Sequence, residues 1–206
     1  MKQTRKRLFI NAKTSTRERE KIIYLALENG CNTLVFSFDD MYFKSKFNNK
    51  KYIKLINNYA INIEAGGRDF SLLMPRKLFL KDRELFRMAQ GSRKADHHFC
   101  PTNPKTISII MDRAQNLFTN ILQKVTPPRI FHLLPDENHH ETWCACPACR
   151  AFSPAEQYLI AVNTAADALA KIDHEAKIIY VDFDTEPDAE GISPKANVVC
   201  SDSEKE

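Results

Sequence analysis

Two adjacent carboxylates, Asp136 and Glu137, follow the apolar run RIFHLL at residues 129–134, which is typical of a buried strand. Glycoside hydrolysis needs two carboxyl groups, about 5 to 5.5 Å apart for retention and about 6.5 to 9.5 Å apart for inversion. Neighbours on an extended segment point to opposite sides, so this pair needs a further carboxylate from another strand. We predict that Asp136 and Glu137 are catalytic, with Glu137 as the acid. A solvated acidic loop is the alternative.

Further polar side chains follow other predicted strands, at the positions where a barrel places its functional groups. Two of them have a second aspartate nearby in the sequence: Asp40 follows Asp39, and Asp184 lies two residues after Asp182. His132 alternates with apolar neighbours inside its strand, so a hydrogen-bonded interior histidine is an alternative to a substrate contact. Fixed acceptors and donors at strand ends are what sugar hydroxyl groups require. The predicted substrate-binding residues are Arg68, Asp69, Asp39, His132 and Asp182.

Three cysteines, Cys144, Cys146 and Cys149, form a CxCPxC pattern shortly after His139. Structural zinc takes four thiolate or imidazole ligands in a tetrahedron, and short spacers let one turn supply two of them. The spacing predicts a structural zinc site with these three cysteines and His139. The fourth ligand is the open point, because His97, His98 and Cys100 lie on an earlier loop. The alternative is a group of thiols that pack or remain reactive.

The elements that must position these residues are strands separated by amphipathic helices, which predicts parallel pairing with right-handed crossovers. Capping patterns such as Ser153-Pro154-Ala155-Glu156 and Asn103-Pro104 mark two helix starts. The glycine-rich phosphate-binding loops of nucleotide-binding sheets are absent. A TIM-like (β/α)-barrel is therefore favoured over an open doubly wound sheet. The predicted strands lie at residues 7–11, 33–38, 60–65, 129–134, 177–183 and 197–200.

An eight-stranded barrel normally takes about 250 residues, whereas this chain has 206. We therefore expect an incomplete barrel of about six strands. Residues 1–200 are expected to form one domain, followed by a polar tail at 201–206. A long insert runs from the third strand to about residue 102, and a helix is predicted within it near residues 82–90.

Composition excludes several classes of protein. The chain is 43% hydrophobic and 27% charged, and no apolar run reaches the roughly 20 residues that a membrane-spanning helix needs. The basic amino-terminal segment lacks the apolar core of a secretory signal, so a cytoplasmic location without structural disulfides is expected. Net charge is +14 over residues 1–130 and −10 over residues 131–206. Nucleic acid is an unlikely partner, because the basic residues are scattered without interleaved aromatic side chains.

Seven short segments stand out when they are taken in chain order: GGRD at 66–69, ELF at 84–86, GSR at 91–93, CPTNP at 100–104, HLLPD at 132–136, WCACPACR at 143–150 and PKANV at 194–198. Together they resemble a bacterial domain family of unassigned function, related to glycoside hydrolase barrels of the α-glucuronidase and β-hexosaminidase type. The resemblance covers residues 60–199, and its specific parts are the CPTNP and CxCPxC segments. It implies a (β/α)-barrel and a carbohydrate ligand. The family pattern has histidine where this chain has Arg68.

The resemblance also implies roles for the adjacent carboxylates. In hexosaminidase-type sites the two residues of an Asp-Glu pair after the fourth strand have different catalytic roles. The glutamate, here Glu137, protonates the leaving oxygen, and the aspartate, here Asp136, steers the acetamido group of the substrate. The predicted function is thus a glycoside hydrolase-like domain that binds a glycan, with hydrolysis left open. The alternatives are a non-catalytic carbohydrate-binding or interaction domain, or a truncated relative that needs a partner chain; a zinc-dependent nucleic-acid binder is a weaker one.

Overall fold

The computed structural model describes residues 5–10, 15–43, 54, 57–68, 70–96, 98–135, 143–181 and 191–201. Within these ranges, no helix is both long enough and apolar enough to cross a lipid bilayer.

The main sheet has six strands, and every neighbouring pair is parallel. The strands follow one another in chain order across the sheet, with a small antiparallel hairpin (β4 and β5) inserted after the third. The predicted parallel order is therefore confirmed. The strands are β1 (Arg7–Ile10), β2 (Thr33–Phe36), β3 (Asn62–Gly67), β4 (Met88–Ala89), β5 (Ser92–Arg93), β6 (Ile130–Leu133), β7 (Lys177–Tyr180) and β8 (Val198–Cys200).

The helices begin where the sequence places capping residues. Asn103 caps the longest helix by accepting a hydrogen bond from the Lys105 amide at 2.9 Å. Ser153 and Glu156 form a complete capping box at the start of another helix, so two exposed backbone donors are satisfied. The α-helices whose two ends lie within the described ranges are α1 (Thr16–Glu28), α2 (Phe38–Phe43), α3 (Phe70–Leu73), α4 (Pro104–Ile121) and α5 (Pro154–Ala170).

The core lies between the helices and one face of the sheet. Phe118 on α4 packs on Phe131 of β6, with ring centroids 4.9 Å apart. The face of α5 towards the sheet is built from small and branched residues, which lets the helix approach closely. Buried residues of this layer include Leu34, Phe36, Ile63, Ala65, Ile110, Ala114, Leu133, Val162, Ala165, Ala166, Leu169 and Ile178.

The opposite face of the sheet carries a buried carboxylate, Glu64 of β3. Arg5 and Arg7 donate to it, and the His132 ring lies 2.6 Å from its Oε2 atom. Arg5 also donates to the carbonyl oxygen of Pro128, just before β6. In a flat sheet β1 and β6 would lie about 14 Å apart, which exceeds the reach of one side chain. The sheet is therefore curved around this charged cluster, as in a barrel.

Charge balance at Glu64 makes the stability of the protein sensitive to pH. Burial works to raise the pKa of Glu64, but hydrogen bonds from His132 and Arg7 outweigh it and lower the pKa from 4.5 to about 2. A carboxylate with a depressed folded-state pKa stabilises the fold above its unfolded pKa. That contribution is lost as pH falls from about 5 towards 2.

We therefore expect the stability difference between the wild type and Glu64→Gln to be about 2 kcal/mol smaller at pH 3 than at pH 6. Urea unfolding at both pH values measures it. Glu175→Gln is the control, because Glu175 is exposed and should show no such change. Parallel pH profiles for the wild type and Glu64→Gln would contradict the assignment.

Gly66 of β3 lies where the chain cannot accept a side chain. Its φ is +120°, and a Cβ atom there would lie 2.0 Å from the carbonyl oxygen of His132 on the neighbouring strand. Gly66→Ala is expected to destabilise the protein by about 2 to 4 kcal/mol, from backbone strain together with overpacking.

Gly91 provides a matched control for this substitution. Its φ is +73°, but a Cβ atom there meets nothing within 4 Å. Gly91→Ala should therefore lower the free energy of unfolding by only about 1 kcal/mol. Thermal or urea unfolding of both glycine variants measures the two losses. Equal losses for the two variants would show that the contact with His132 does not matter.

One sequence prediction about the fold needs correction. The helix predicted near residues 82–90 is wrong: the segment forms a short 3₁₀ helix at Arg83–Leu85, followed by β4. The side chains of Leu85 and Phe86 are buried by tertiary packing rather than by a helix face. The sheet is compatible with the expected incomplete barrel of about six strands: it is not closed, because β1 and β8 remain its two edges within the described ranges.

Candidate metal centre and strand-end edge

Four buried cysteines form a compact cluster, named here the cysteine centre: Cys100, Cys144, Cys146 and Cys149. Their sulfur atoms all lie within 4.8 Å of one another. The Cys100 sulfur lies 3.6 Å from that of Cys149 and 3.7 Å from that of Cys146. The cluster is separate from the main hydrophobic core, and among the described residues Met88 packs against it as a partly buried apolar side chain.

The donor set fits a tetrahedral metal ion. A zinc–sulfur distance of about 2.3 Å in a tetrahedron places neighbouring sulfur atoms about 3.8 Å apart, close to the separations of Cys100 from Cys146 and Cys149. Without a cation the thiols compete for protons. Hydrogen bonds from Cys144 and Cys149 lower the pKa of Cys100, while the bonds to Cys100 and then Cys144 raise the pKa of Cys149. A divalent cation would let all four bind as thiolates.

A tight turn presents two of the four sulfur atoms. The amides of Cys149 and Arg150 both donate to the carbonyl oxygen of Cys146 at 3.0 Å. A 3₁₀ helix follows at Cys149–Ala151 and leads into the cap of α5. This local structure explains why the CPxC spacing brings Cys146 and Cys149 to the same side of the turn.

One buried side chain of α5, Gln157, holds the segment in place. Its Oε1 atom accepts the Cys144 amide at 3.0 Å. Its Nε2 atom lies 3.2 Å from the carbonyl oxygens of Cys144, Cys149 and Phe152. Because a single rigid helix fixes the backbone at both ends of the segment, the sulfur positions are preorganised.

The cysteine centre lies at the strand-end edge, defined as the edge of the sheet where the parallel strands have their carboxyl ends. Cys100 belongs to the connection from β3 to α4, and the other three cysteines belong to the connection from β6 to α5. Strands β3 and β6 are neighbours in the sheet. Both connections leave the same edge, which is the functional face of a (β/α)-barrel.

The structure brings together Cys144, Cys146 and Cys149, as the sequence predicts, and adds Cys100 as a fourth donor. His139, the predicted fourth ligand, lies outside the described residues. One signal in the sequence points to Cys100: it lies shortly before Asn103, the cap of a helix with proline at its first position, as Cys149 lies shortly before Ser153, the cap of α5. His98, from the same earlier loop, instead lies 5.3 Å from the ring of Trp143.

Of the predicted sugar-binding residues, Asp39 and Arg68 lie at the strand-end edge. Asp39 is half-buried in the first turn of α2, directly after β2, and Arg68 is exposed directly after β3. Asp40, next to Asp39, is buried in an ion pair with Arg19 at 3.1 Å, which holds α2 against α1.

His132 lies inside the curved sheet rather than at its edge. It is 3% exposed and bonded to Glu64, and its ring meets Phe9 edge-on at 5.2 Å. These contacts match the alternative of a hydrogen-bonded interior histidine. The remaining predicted site residues lie outside the described ranges; they are Asp69, Asp136, Glu137 and Asp182.

The strand that leads to Asp136 and Glu137 is firmly anchored up to its end. The Leu134 amide donates to the carbonyl oxygen of Gly67 at 2.9 Å, which continues the pairing with β3. The Tyr158 hydroxyl donates to the carbonyl oxygen of Leu133 from α5. The chain therefore reaches Pro135 in a fixed position at the strand-end edge.

Comparison with known proteins finds structures with a similar fold but no matching family. A scan against protein-family models finds no match, and neither does a search of curated proteins. Two solved structures are similar over 96% of this chain at 14% identity. One comes from the pneumococcal exo-β-D-N-acetylglucosaminidase StrH, an enzyme with tandem GH20 catalytic modules, with a TM-score of 0.61, and the other is a β-N-acetylhexosaminidase from Bacteroides fragilis, with a TM-score of 0.53.

This likeness concerns the fold alone. The chain spans 59% of the length of the first of these structures and 44% of the second. The six parallel strands and their helices thus correspond to part of a glycoside hydrolase-like fold.

Proposed function

We propose that the chain is a glycoside hydrolase-like domain that binds a glycan at its strand-end edge. The observation that carries the proposal is the parallel sheet in chain order, a fold similar to that of GH20 hexosaminidases. In such a fold the side chains after successive strands meet at one edge. Asp39 and Arg68 lie at this edge, and β6 reaches it immediately before Asp136 and Glu137.

The proposed chemistry divides the work between the two adjacent carboxylates. Glu137 protonates the glycosidic oxygen, because its longer side chain reaches further from the strand end. Asp136 orients the acetamido group of an N-acetylhexosamine. Asp39, Asp69 or Asp182 supplies the further carboxylate, and Arg68 donates hydrogen bonds to sugar oxygens. The acid needs a pKa near neutrality, which burial or a neighbouring negative charge provides.

We also propose that the cysteine centre holds one structural Zn²⁺. Four thiolates leave no open coordination position, which is typical of a structural rather than a catalytic zinc. Cys100, Cys144, Cys146 and Cys149 would be the ligands. Bound there, the ion would fasten the β3–α4 connection to the β6–α5 connection and so stiffen the strand-end edge.

A second candidate function is a carbohydrate-binding domain that has no activity alone and is completed by a partner chain. The open sheet favours a binding role: within the described ranges β1 and β8 are edge strands, whereas a closed barrel has no edge strand. Sugar binding at one end of a sheet tolerates an open barrel better than catalysis does, because catalysis also requires that water be excluded from the site.

Two probes separate these functions. Calorimetric titration of the zinc-loaded protein with N-acetylglucosamine measures binding, and release of nitrophenol from 4-nitrophenyl N-acetyl-β-glucosaminide measures hydrolysis. The first proposal predicts both. Binding without release supports the second candidate. Absence of both overturns the carbohydrate function.

A further inference from the structure

The β4–β5 hairpin is too short to be stable on its own. Each strand has two residues, at Met88–Ala89 and Ser92–Arg93, whereas isolated hairpins are marginal even at greater length. The contacts that hold this hairpin lead mainly to the segment of the cysteine centre. The Ala145 amide donates to the carbonyl oxygen of Met88 at 2.8 Å, which adds a third extended segment to the hairpin.

Two donors of the hairpin are directed at one sulfur atom. The Met88 amide lies 3.3 Å from the Cys144 sulfur, and Arg93 Nη1 lies 3.7 Å from it. Arg93 is itself fixed in place. Its Nη1 atom donates to the carbonyl oxygen of Phe86 at 2.8 Å, and its Nη2 atom pairs with Glu84. Its side chain is 13% exposed, so the charge is held close to the sulfur rather than in solvent.

We propose that Arg93 and the Met88 amide are the outer shell of the zinc centre, and that the hairpin is ordered by the metal. The inference rests on the proposed zinc. Four thiolates around Zn²⁺ leave two excess negative charges in a buried site. A guanidinium and an amide donor at Cys144 offset part of that charge and hold the sulfur in position. Arg93 is therefore a positioning residue that acts through Cys144.

A third polar group supports the same arrangement at two other sulfur atoms. The Thr102 hydroxyl lies 3.0 Å from the Cys149 sulfur and 3.7 Å from the Cys100 sulfur. Met88, Arg93 and Thr102 all belong to the connection from β3 to α4, so this connection supplies donors to sulfur atoms of both connections. Among these three donors Arg93 carries the positive charge, which is why it is expected to matter more than a neutral donor such as Thr102.

Zinc affinity tests the proposal. Competition with a chromophoric zinc chelator should show that Arg93→Met binds zinc 10- to 100-fold more weakly than the wild type, the usual effect of outer-shell partners. Arg93→Lys should bind zinc more tightly than Arg93→Met but more weakly than the wild type, because lysine keeps the positive charge but lacks the forked donor geometry of the guanidinium group. Arg87→Met is the matched control: Arg87 lies in the same insert but pairs with Asp96 at 2.6 Å.

Hydrogen exchange on the wild-type protein keeps the test independent of whether the variants fold. Removing zinc with a chelator should raise exchange at residues 86–94 and 143–150, while β3 and β6 stay protected. Equal affinities for the wild type and Arg93→Met, or unchanged hairpin protection after zinc removal, would overturn the inference and leave the zinc itself intact. A wild-type protein that binds no zinc would overturn both.

Discussion

Replacing Cys146 with Ser is expected to remove zinc from the protein and to lower its free energy of unfolding by several kcal/mol, because metal binding and folding are coupled at such sites. The wild type should carry about one zinc per chain. Serine keeps the size of the side chain but does not supply the thiolate that the tetrahedral site needs. Metal content by elemental analysis and unfolding in urea measure the two effects together.

Cys31→Ser is the control for this variant. Cys31 is half-buried and lies outside the cysteine centre, so its loss should leave the zinc content unchanged and the stability nearly so. A wild-type protein without metal, unfolding at the same urea concentration as Cys146→Ser, would remove the zinc proposal.

Replacing Glu137 with Gln is expected to reduce turnover of 4-nitrophenyl N-acetyl-β-glucosaminide by about 10²-fold or more, the usual scale of general acid catalysis. Glutamine has nearly the same shape but cannot donate a proton as an acid does. Folding and sugar binding should therefore remain close to those of the wild type. Initial rates at saturating substrate, together with titration of N-acetylglucosamine, separate the catalytic effect from binding.

Glu175→Gln serves as the matched control for the loss of a carboxylate. Glu175 is exposed and lies just before β7, at the opposite edge from the strand ends, so its replacement should leave turnover unchanged. If Glu137→Gln turns over the substrate as fast as the wild type, Glu137 is not the acid.

The regular elements could be predicted because their causes are local. The α5 start follows from the capping box of Ser153 and Glu156, and the α4 start follows from Asn103 before a proline. The strands follow from short apolar runs between helices. Parallel order then follows from connections long enough to cross over.

Other contacts could not be predicted from the sequence, because the residues that make them are far apart along the chain. Glu64 is one residue of a short apolar strand, and its partners Arg5 and His132 lie 59 and 68 residues away. Cys100 is similarly separated by 46 residues from Cys146. The segment near residues 82–90 has apolar residues that suit a helix, but the packing of Leu85 and Phe86 favours a turn and a hairpin.

The predicted catalytic pair and the single-domain boundary at residue 200 stay predictions. The structure shows that β6 ends at the strand-end edge, at Leu133, and that the cysteine centre lies beside the same edge. A glycan site and a metal site would thus share the connections that follow β3 and β6.

Amide chemical-shift mapping with N-acetylglucosamine tests the central claim most directly, because it locates the sugar on the chain. The account predicts that the largest shifts fall at the strand-end edge, at Asp39, Arg68 and Leu134. The amino ends of the strands, at Asn32 and Lys177, should not respond. Shifts confined to that opposite edge, or no shifts at all with saturating sugar, would contradict the proposal that this edge binds glycans.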